Sequence, residues 1–553
     1  MTGSRPNVLV IMTDEERYPP PYEADALAEF RRTQLPARER LRTQSRELHH
    51  HYAAATACIP SRASLFTGQY PSLHGVTATD GMAKSAVDPA MHWLDPESVP
   101  TLGDWFRAAG YRTHYRGKWH ISHADLVVPG THQSLRVNDA DGVVDLAAID
   151  AYRRADRLDG FGFSGWIGRE PHGVDKADTG FVRDGLFAEQ VIDLFAELGN
   201  ADRSPRAREP WLAVASFVNP HDIGFTGLGW NALGFPPIAD SIPDVPEAPS
   251  QSDSFAGRPD CQRQFAEAWP KLLYPQDTDL EYRRLYHFLH TLVDAAIMRI
   301  LDALHDHGLG DDTIIVFTSD HGDLLGAHGG LVQKWHNAFD EALHVPMLVS
   351  GPGIDADAGG VEIATSHVDV LPTLLGLAGV DVEAAAAAVA GHHVETQALP
   401  GRDLSCVLTG SVTEAAVDAP VYFMTEDQIS RGLRTTNRFT GDPFEPVGEP
   451  GNVESVITHL PTGDGGVDEL WKLNHYYDRL PDWEESRGIP QVPFAPPPAD
   501  PQWELHNLTV DPEERTNLAG TAGRAAAFSR LQTVLERTRH DVRRTPQHVN
   551  PTG

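Results

Sequence analysis

The apolar stretch NVLVIMT, Asn7–Thr13, runs directly into the acidic pair Asp14-Glu15. A second stretch of the same kind, TIIVFT at Thr313–Thr318, runs into Ser319–His321 (SDH). Short apolar runs that end in polar residues are typical of strands buried on both faces of a parallel sheet. The two stretches therefore predict interior strands of an α/β fold.

Two further apolar runs, Trp211–Val218 (WLAVASFV) and Val345–Ser350 (VPMLVS), predict parallel strands of the same sheet. Between them, a helical spacing of apolar residues begins near the N-cap residue Asp277 and continues to about His307. Gly308 follows where a C-cap glycine is expected. Helices that alternate with parallel strands predict a sheet covered by helices on both faces.

The rest of the chain is patterned less strongly. Trp230–Pro275 is rich in proline and polar residues and is interpreted as a surface excursion, with a lid as one option. Ala384–Ala390 is interpreted as a connector that can hold a short helix. We predict a catalytic α/β domain over residues 1–410 and a smaller α+β domain over residues 411–553. The second domain is expected to contain an antiparallel sheet and a terminal helix, formed by Val421–Phe423, Ser455–Ile457, Leu470–Leu473 and Ala525–Arg539.

Composition limits the classes of partner. The 553 residues include 45 Lys plus Arg and 78 Asp plus Glu, a formal net charge of −33. Such an acidic surface repels nucleic acid and anionic lipid, so we expect neither as a partner. An anionic substrate would need a local positive site. We find no secretory signal and no apolar stretch of membrane-spanning length, and three distant cysteines predict no disulfide framework, so we expect a cytoplasmic protein.

Polar residues at the strand ends form the first candidate site. Because ligands bind at the carboxyl ends of parallel strands, Asp14-Glu15 and Asp320-His321 are expected to converge. Carboxylate oxygens and an imidazole suit a divalent cation such as Ca²⁺, Mg²⁺ or Mn²⁺. Acidic residues also end strands at solvated edges without any ligand, but the repeated pattern favours a metal. A third strand end places His221 at the same edge as a candidate general acid.

The second candidate site is the segment CIPSRASLFTG, Cys58–Gly68. Pro60 fits the first turn of a helix and Gly68 can end it, so Cys58 would lie at the helix N-terminus, where partial positive charge favours an anion. Arg62 follows one turn later on the same face. A buried cysteine beside a surface arginine is the plain alternative, and spacing alone does not choose between the two.

The same residues carry a family resemblance. Cys58-x-Pro60-Ser61-Arg62 resembles the first signature of the formylglycine-dependent (type I) sulfatases of the alkaline-phosphatase-like superfamily. The further matches follow in family order over nearly the whole chain: Gly110–Thr113 with Gly117–His120 (GKWH), Ser319–Asp323, Lys334, Asp369 with Pro372-Thr373, Gly401–Leu404, and Trp503–Ala519. The resemblance implies the alkaline-phosphatase-like fold, with a mixed, mainly parallel sheet covered by helices on both faces, and it implies hydrolysis of a sulfate monoester.

The resemblance also implies a mechanism. A formylglycine-generating enzyme would oxidise Cys58 to an aldehyde, whose hydrate attacks sulfur and later expels sulfate. Arg62 would orient the hydrate, and Lys118 and Lys334 would bind sulfate oxygens. His120 would take a proton during elimination, and His221 would protonate the leaving alcohol.

The implied metal site comprises Asp14, Asp320, His321 and the modified residue 58, with Glu15 either binding directly or only hydrogen bonding beside it. Many relatives have Asp or Gln at Glu15 and Asn at His321. The histidine is typical of the branch that resembles choline sulfatases and phosphonate monoester hydrolases. Ca²⁺ is the expected ion, with Mn²⁺ or Mg²⁺ as alternatives.

Two alternative functions remain open at the sequence level. The nearest alternative is hydrolysis of phosphonate monoesters or phosphodiesters on the same fold. Phosphonate hydrolases tend to have other residues at the positions of Lys118 and His120, so the presence of both residues here favours sulfate esters. A non-catalytic protein that binds sulfated ligands would not need the nucleophile and proton-transfer residues. The tract His49–His51 precedes the strand-like segment Tyr52–Thr56 and is interpreted as structural, because its adjacent side chains cannot share one face. Aryl, alkyl, sugar and choline sulfates all fit as substrates, and a homo-oligomer is possible.

Overall fold

A seven-stranded sheet forms the centre of the protein. The computed structural model describes residues 5–171, 175–200, 209–228, 235–461, 468–478 and 499–546. The sheet order is β3-β4-β1-β5-β6-β2-β7. Its strands are β1 Asn7–Asp14, β2 Arg46–Tyr52, β3 Arg112–Gly117, β4 Trp211–Pro220, β5 Thr313–Ser319, β6 Met347–Ser350 and β7 Val361–Ser366.

The sheet is mixed but mainly parallel, which confirms the predicted fold class. β1 lies between β4 and β5 and pairs with both in parallel, and β3 pairs in parallel with β4. β6 runs antiparallel to β5 and β2. The prediction that Val345–Ser350 is a parallel strand is therefore wrong, because full burial gives the same apolar pattern in either direction.

Helices cover both faces of the sheet, as predicted. Alternate residues of β1 point to opposite faces, so Val8, Val10 and Met12 join one apolar cluster while Leu9 and Ile11 join another. Within the described residues, the helices of seven or more residues are α1 Ala28–Gln34, α2 Pro36–Gln44, α3 Cys58–Thr67, α4 Leu102–Ala108, α5 Leu146–Ala155, α6 Gly180–Asn200, α7 Asp260–Leu272, α8 Leu280–Asp306, α9 Val370–Leu377, α10 Val382–Val389 and α11 Ala525–Val542. The helices α3 and α4 contribute to the first cluster, and α6 and α8 to the second.

A second, antiparallel sheet follows late in the chain, as expected. Its order is β11-β10-β9-β8, formed by β8 Val421–Thr425, β9 Asn452–Leu460, β10 Glu469–Tyr477 and β11 Gln502–Asn507. Leu531 and Leu535 of α11 pack against apolar residues of this sheet. One apolar cluster joins residues on both sides of position 410, including Phe265 and Trp335 with Phe423 and Ile457. The boundary at residue 410 stays a prediction.

Three local expectations are revised or refined. Within Trp230–Pro275, residues 230–234 lie outside the described part, and the remainder includes α7, whose Phe265 and Trp269 are buried. The part that forms α7 is thus packed, whereas residues 240–260 are mostly exposed or half-buried. The tract His49–His51 lies inside β2, whereas we expected it to precede a strand at Tyr52–Thr56. The Ala-rich connector holds the helix α10.

Among the described residues, no single helix has the length and apolar character needed to cross a bilayer. In the same part of the chain, one sharply bent pair, His367–Leu377 and Val382–Val389, meets that criterion in combination.

Candidate active site

The carboxyl ends of β1 and β5 meet at a pair of buried aspartates. Asp14 ends β1, Asp320 follows β5, and both side chains are fully buried. The guanidinium of Arg62 joins them, with Nη2 2.8 Å from Asp14 Oδ2 and Nε 2.7 Å from Asp320 Oδ2. The two strand ends therefore converge as the sequence predicted, and one buried arginine fixes their spacing.

Cys58 is the first residue of α3 and faces the same point. Its Sγ lies 3.1 Å from His321 Nε2 and 3.7 Å from Asp14 Oδ1. The helix ends at Gly68, which has a φ of 62° and so adopts the left-handed conformation that glycine favours. Because Arg62 lies one turn after Cys58, α3 supplies both the nucleophile candidate and the cation that holds the aspartates.

Four side chains here have the chemistry of a metal site. One ligand atom from each of Asp14, Cys58, Asp320 and His321 lies within 4.8 Å of the other three, and all four residues are buried. His321 Nδ1 is 2.9 Å from the carbonyl oxygen of Gly322, which orients Nε2 toward Cys58. Two carboxylates and an imidazole are ligands for a divalent cation, so the predicted residues fit such an ion.

Glu15 lies beside this group but is engaged differently. Its Oε2 is 3.0 Å from the ammonium of Lys334, which is also 3.1 Å from Gln333 Oε1. Within the described chain, no donor makes a hydrogen bond to the buried Oε1 of Glu15. Glu15, Asp14 and His221 also offer ligand atoms within 4.8 Å of one another. Glu15 is thus in place both to position Lys334 and to supply an oxygen to a cation.

The electrostatics of the carboxyl groups support a cation at this point. Burial, together with the neighbouring Asp14, raises the pKa of Asp320 to about 7. Burial also raises the pKa of Glu15, despite the Lys334 ammonium. Burial acts against ionisation of Asp14 as well, but Lys118 and Arg62 hold its pKa well below the usual range. A divalent cation would favour the ionised form of all three.

The loop after β3 brings in Lys118. Gly117 has a φ of 103°, and a Cβ there would lie 1.8 Å from the carbonyl oxygen of Ser216, so only glycine fits against β4. Lys118 Nζ is 2.6 Å from Asp14 Oδ2. The carbonyl of Lys118 accepts hydrogen bonds from Arg62 Nη1 at 2.9 Å and from the Tyr115 hydroxyl at 2.7 Å. The lysine is therefore held on both its backbone and its side chain.

Glu170 holds the next two residues of that loop. Its Oε1 accepts from the backbone N–H of His120 at 2.9 Å, and its Oε2 from that of Trp119 at 3.3 Å. The backbone of His120 is left-handed, with a φ of 56°, a conformation that costs free energy for a non-glycine residue. The buried carboxylate of Glu170 stabilises this strained turn.

The two histidines proposed as proton carriers differ in their surroundings. His120 Nε2 is 3.2 Å from Asp80 Oδ1. His221 follows β4, is half-buried, and its Nδ1 makes no hydrogen bond within the described chain. Burial and the Lys118 ammonium lower the pKa of His221, which favours the neutral imidazole.

The thiol of Cys58 is a weak nucleophile in this environment. Burial, with the adjacent carboxylate of Asp14, raises the pKa of the Cys58 thiol. Because the thiolate is the reactive form of cysteine, the unmodified side chain stays protonated and poorly reactive near pH 7.

Three residues of the site were not identified from the sequence. Asp80 contacts His120, Glu170 contacts the loop backbone, and Ser216 Oγ accepts from Arg62 Nη1 at 2.9 Å. Asp80 and Glu170 lie in irregular segments without a recognisable pattern. Ser216 lies in the apolar strand β4, where a single hydroxyl among buried apolar residues does not mark a functional residue. Their roles depend on tertiary contacts.

Comparison with known proteins supports one family. The family model described as Sulfatase matches residues 6–380, more than half of the chain. The uncharacterized sulfatase YidJ of Escherichia coli is 28% identical over a region that covers 59% of each chain. The choline-sulfatase of Rhizobium meliloti is 28% identical over 68% of each chain.

Solved structures share the fold at lower identity. A 2-O GAG sulfatase has a TM-score of 0.60 and 20% identity, covering 99% of this chain and 95% of its own. The phosphonate monoester hydrolase of Agrobacterium radiobacter has a TM-score of 0.56 and 21% identity, covering 97% and 96%. These likenesses show the alkaline-phosphatase-like fold. The family model, which matches more than half of the chain, shows that this chain belongs to the sulfatase family.

Proposed function

We propose that the protein hydrolyses a sulfate monoester with a formylglycine made from Cys58. The observation that carries the proposal is the position of Cys58, at the first residue of α3 and 3.1 Å from His321 Nε2. A buried, protonated thiol is unsuited to attack, whereas an aldehyde hydrate at the same place offers two hydroxyl groups.

The surrounding cations support an anionic substrate. Arg62, Lys118 and Lys334 are buried around residue 58, in a chain whose formal net charge is −33. They provide the local positive charge that the sequence required for binding sulfate. A divalent cation would be held by Asp14, Asp320, His321 and residue 58, with Glu15 as a further candidate. When bound, it would supply Lewis-acid polarisation of a sulfate oxygen.

The chain's own groups then have distinct tasks. One hydroxyl of the residue 58 hydrate loses its proton to solvent, and Arg62 supports the ionised form. The resulting alkoxide oxygen forms a bond to sulfur, and the bond from sulfur to the ester oxygen breaks. His221 donates a proton to the departing alcohol, and the charge of bound sulfate favours its protonated form. His120 accepts the proton of the second hydroxyl, the carbonyl re-forms, and the carbon–oxygen bond to sulfate breaks. The aldehyde is restored and sulfate is released.

The alternative activity is hydrolysis of a phosphonate monoester. It is favoured by the fold likeness to a phosphonate monoester hydrolase and by His321 at a metal position. The presence of both Lys118 and His120 favours sulfate, because phosphonate hydrolases tend to replace them.

A substrate comparison distinguishes the two activities. The protein would be co-expressed with a formylglycine-generating enzyme, and kcat/KM measured for 4-nitrophenyl sulfate and 4-nitrophenyl phenylphosphonate. We expect kcat/KM for the sulfate to exceed that for the phosphonate by about a hundredfold or more, because the site should stabilise the transition state of sulfate transfer better. A preference for the phosphonate would overturn the proposal.

A further inference from the structure

A segment late in the chain packs directly against the loop that carries Asp80. The backbone N–H of Arg434 donates to the carbonyl of Ala83 at 3.0 Å. Its Nη1 donates to the carbonyls of Gly81 and Met82, at 3.1 and 2.9 Å. The guanidinium of Arg434 is thus held against the backbone of Gly81, the residue that follows Asp80 in the sequence.

Asp80 connects this segment to the catalytic side chains. Its Oδ1 lies 3.2 Å from His120 Nε2, and the proposed mechanism assigns His120 to proton transfer. The ring of Trp93 lies 6.4 Å from that of His120 on the same side. The segment that bears Arg434 therefore adjoins the loop whose Asp80 contacts His120.

Aromatic rings and a second arginine complete this group of side chains. The guanidinium carbon of Arg438 lies 4.5 Å from the centroid of the Phe439 ring. The Phe439 ring in turn lies 5.0 Å from the ring of Tyr274. The side chain of Asn437 donates to the carbonyl of Leu273 at 2.7 Å, which ties the two segments together. We call Arg434, Arg438, Tyr274 and Phe439 the arginine–aromatic rim.

Within the described residues the two arginines of the rim form no ion pair, and Asp80 is a nearby negative charge. Most buried arginines of this acidic chain, by contrast, are paired. Desolvation and the neighbouring Arg434 lower the pKa of Arg438, while Tyr274 and Asp80 oppose this effect. Two adjacent cations are an arrangement that a bound anion would stabilise.

We propose that the arginine–aromatic rim binds a second anionic group on a ring-bearing substrate, a carboxylate or a further sulfate. The inference rests on the proposed sulfate ester hydrolysis and narrows its substrate class to anionic ring compounds such as acidic sulfated saccharides. Arg438 contacts the second anion, Arg434 adds charge beside it, and Tyr274 and Phe439 stack on the ring. Binding energy from this remote group favours turnover of the larger substrate.

The rim disfavours a cationic alcohol. The quaternary ammonium of choline sulfate would meet two guanidinium groups, and like charges at close range raise the free energy of the complex. The rim therefore argues against a choline ester, even though a choline-sulfatase is among the relatives of this chain.

Matched substrate pairs test the subsite. The two pairs are 4-carboxyphenyl sulfate with 4-carbamoylphenyl sulfate, and glucosamine 2-N,6-O-disulfate with N-acetylglucosamine 6-sulfate. The first pair tests recognition of a carboxylate, and the second pair tests recognition of a second sulfate group. We would measure kcat/KM for all four compounds with the wild-type protein, with Arg438→Met, and with Arg530→Met as a control. Arg530 is an exposed arginine on α11, outside the site.

In at least one pair we expect the anionic member to lose about tenfold more kcat/KM than its neutral partner when Arg438 is changed. The Arg530→Met variant should keep the wild-type ratio. Because Arg438 is exposed, added salt should also reduce the wild-type preference. If both pairs keep their ratios in Arg438→Met, the subsite is refuted while sulfate hydrolysis stands. If the wild-type protein hydrolyses none of the four sulfates, the proposed function fails first.

Discussion

At the scale of single residues, His221 is the group whose role can be isolated most cleanly. A general acid matters when the leaving alcohol is basic and matters little when the alcohol departs readily as an anion. We predict that His221→Ala lowers kcat/KM for an alkyl sulfate by about a hundredfold or more, but far less for 4-nitrophenyl sulfate. Steady-state kinetics on both esters check this. Equal losses on the two esters would rule out proton donation by His221.

Glu170 illustrates how a residue outside the reaction centre can still control it. The Glu170→Ala change removes both acceptors for the amides of Trp119 and His120, whereas Glu170→Gln keeps one carbonyl oxygen. We predict a fall in kcat of about a hundredfold for the alanine variant and a smaller fall for glutamine, because the positions of Lys118 and His120 become less defined. The far-ultraviolet circular dichroism should stay unchanged. Wild-type kcat in Glu170→Ala would show that the contact is dispensable.

The residue scale also shows what the sequence could provide. Cys58, Arg62 and the two aspartates were identified because signature spacing and strand ends mark them. Asp80 and Glu170 were missed, because each reaches the site from an irregular segment through tertiary contacts alone. No local pattern encodes such a contact.

At the scale of elements, the segment after β1 depends on a buried carboxylate. Glu23 is paired with Arg17, and with Arg31 of α1 at 3.0 Å, and it is 1% exposed. Burial alone would raise the pKa of Glu23, but Arg17 and the other neighbouring cations lower it well below the usual range. The ion pairs therefore stabilise the fold above the unfolded-state pKa of about 4.3, and this contribution is lost as the pH falls toward the folded-state pKa.

We predict that Glu23→Gln lowers the free energy of unfolding by about 3 kcal/mol at pH 7, because the buried guanidinium of Arg17 and the half-buried guanidinium of Arg31 lose a charged partner. The difference from the wild type should shrink below about pH 4, as Glu23 becomes protonated in the unfolded chain. Denaturant unfolding of both proteins between pH 3 and 7 checks this. A difference that stays constant down to pH 3 would contradict the assigned pKa direction.

Secondary-structure elements were predicted correctly where the apolar pattern and the length of the segment indicated the same type of element. The strands β1, β4 and β5 and the helix α8 lie where the sequence placed them. The direction of β6 was wrong, because a four-residue buried strand carries no information about its polarity. The tract His49–His51 is part of β2, since the neighbouring strands supply the pairing that its own propensity does not.

At the scale of the whole molecule, the two sheets are joined by a common apolar cluster. Phe265 and Trp335 pack in one cluster with Phe423 and Ile457 of the antiparallel sheet. We therefore predict a single unfolding transition, seen at the same denaturant concentration by circular dichroism and by tryptophan fluorescence. A fragment ending at residue 410 should be insoluble. Two separate transitions, or a soluble active fragment, would show that the predicted domains are independent.

The central claim is that residue 58 must be modified before the protein acts as a sulfatase. The most direct test is to vary the amount of co-expressed formylglycine-generating enzyme. In each preparation, mass spectrometry would give the fraction of the Cys58 peptide converted to the aldehyde, and kcat would be measured on 4-nitrophenyl sulfate. We predict that kcat rises in proportion to the modified fraction. Extrapolated to a preparation without any modified Cys58, kcat should be near zero, as in the Cys58→Ala variant. Full activity in a preparation with unmodified Cys58 would contradict the account.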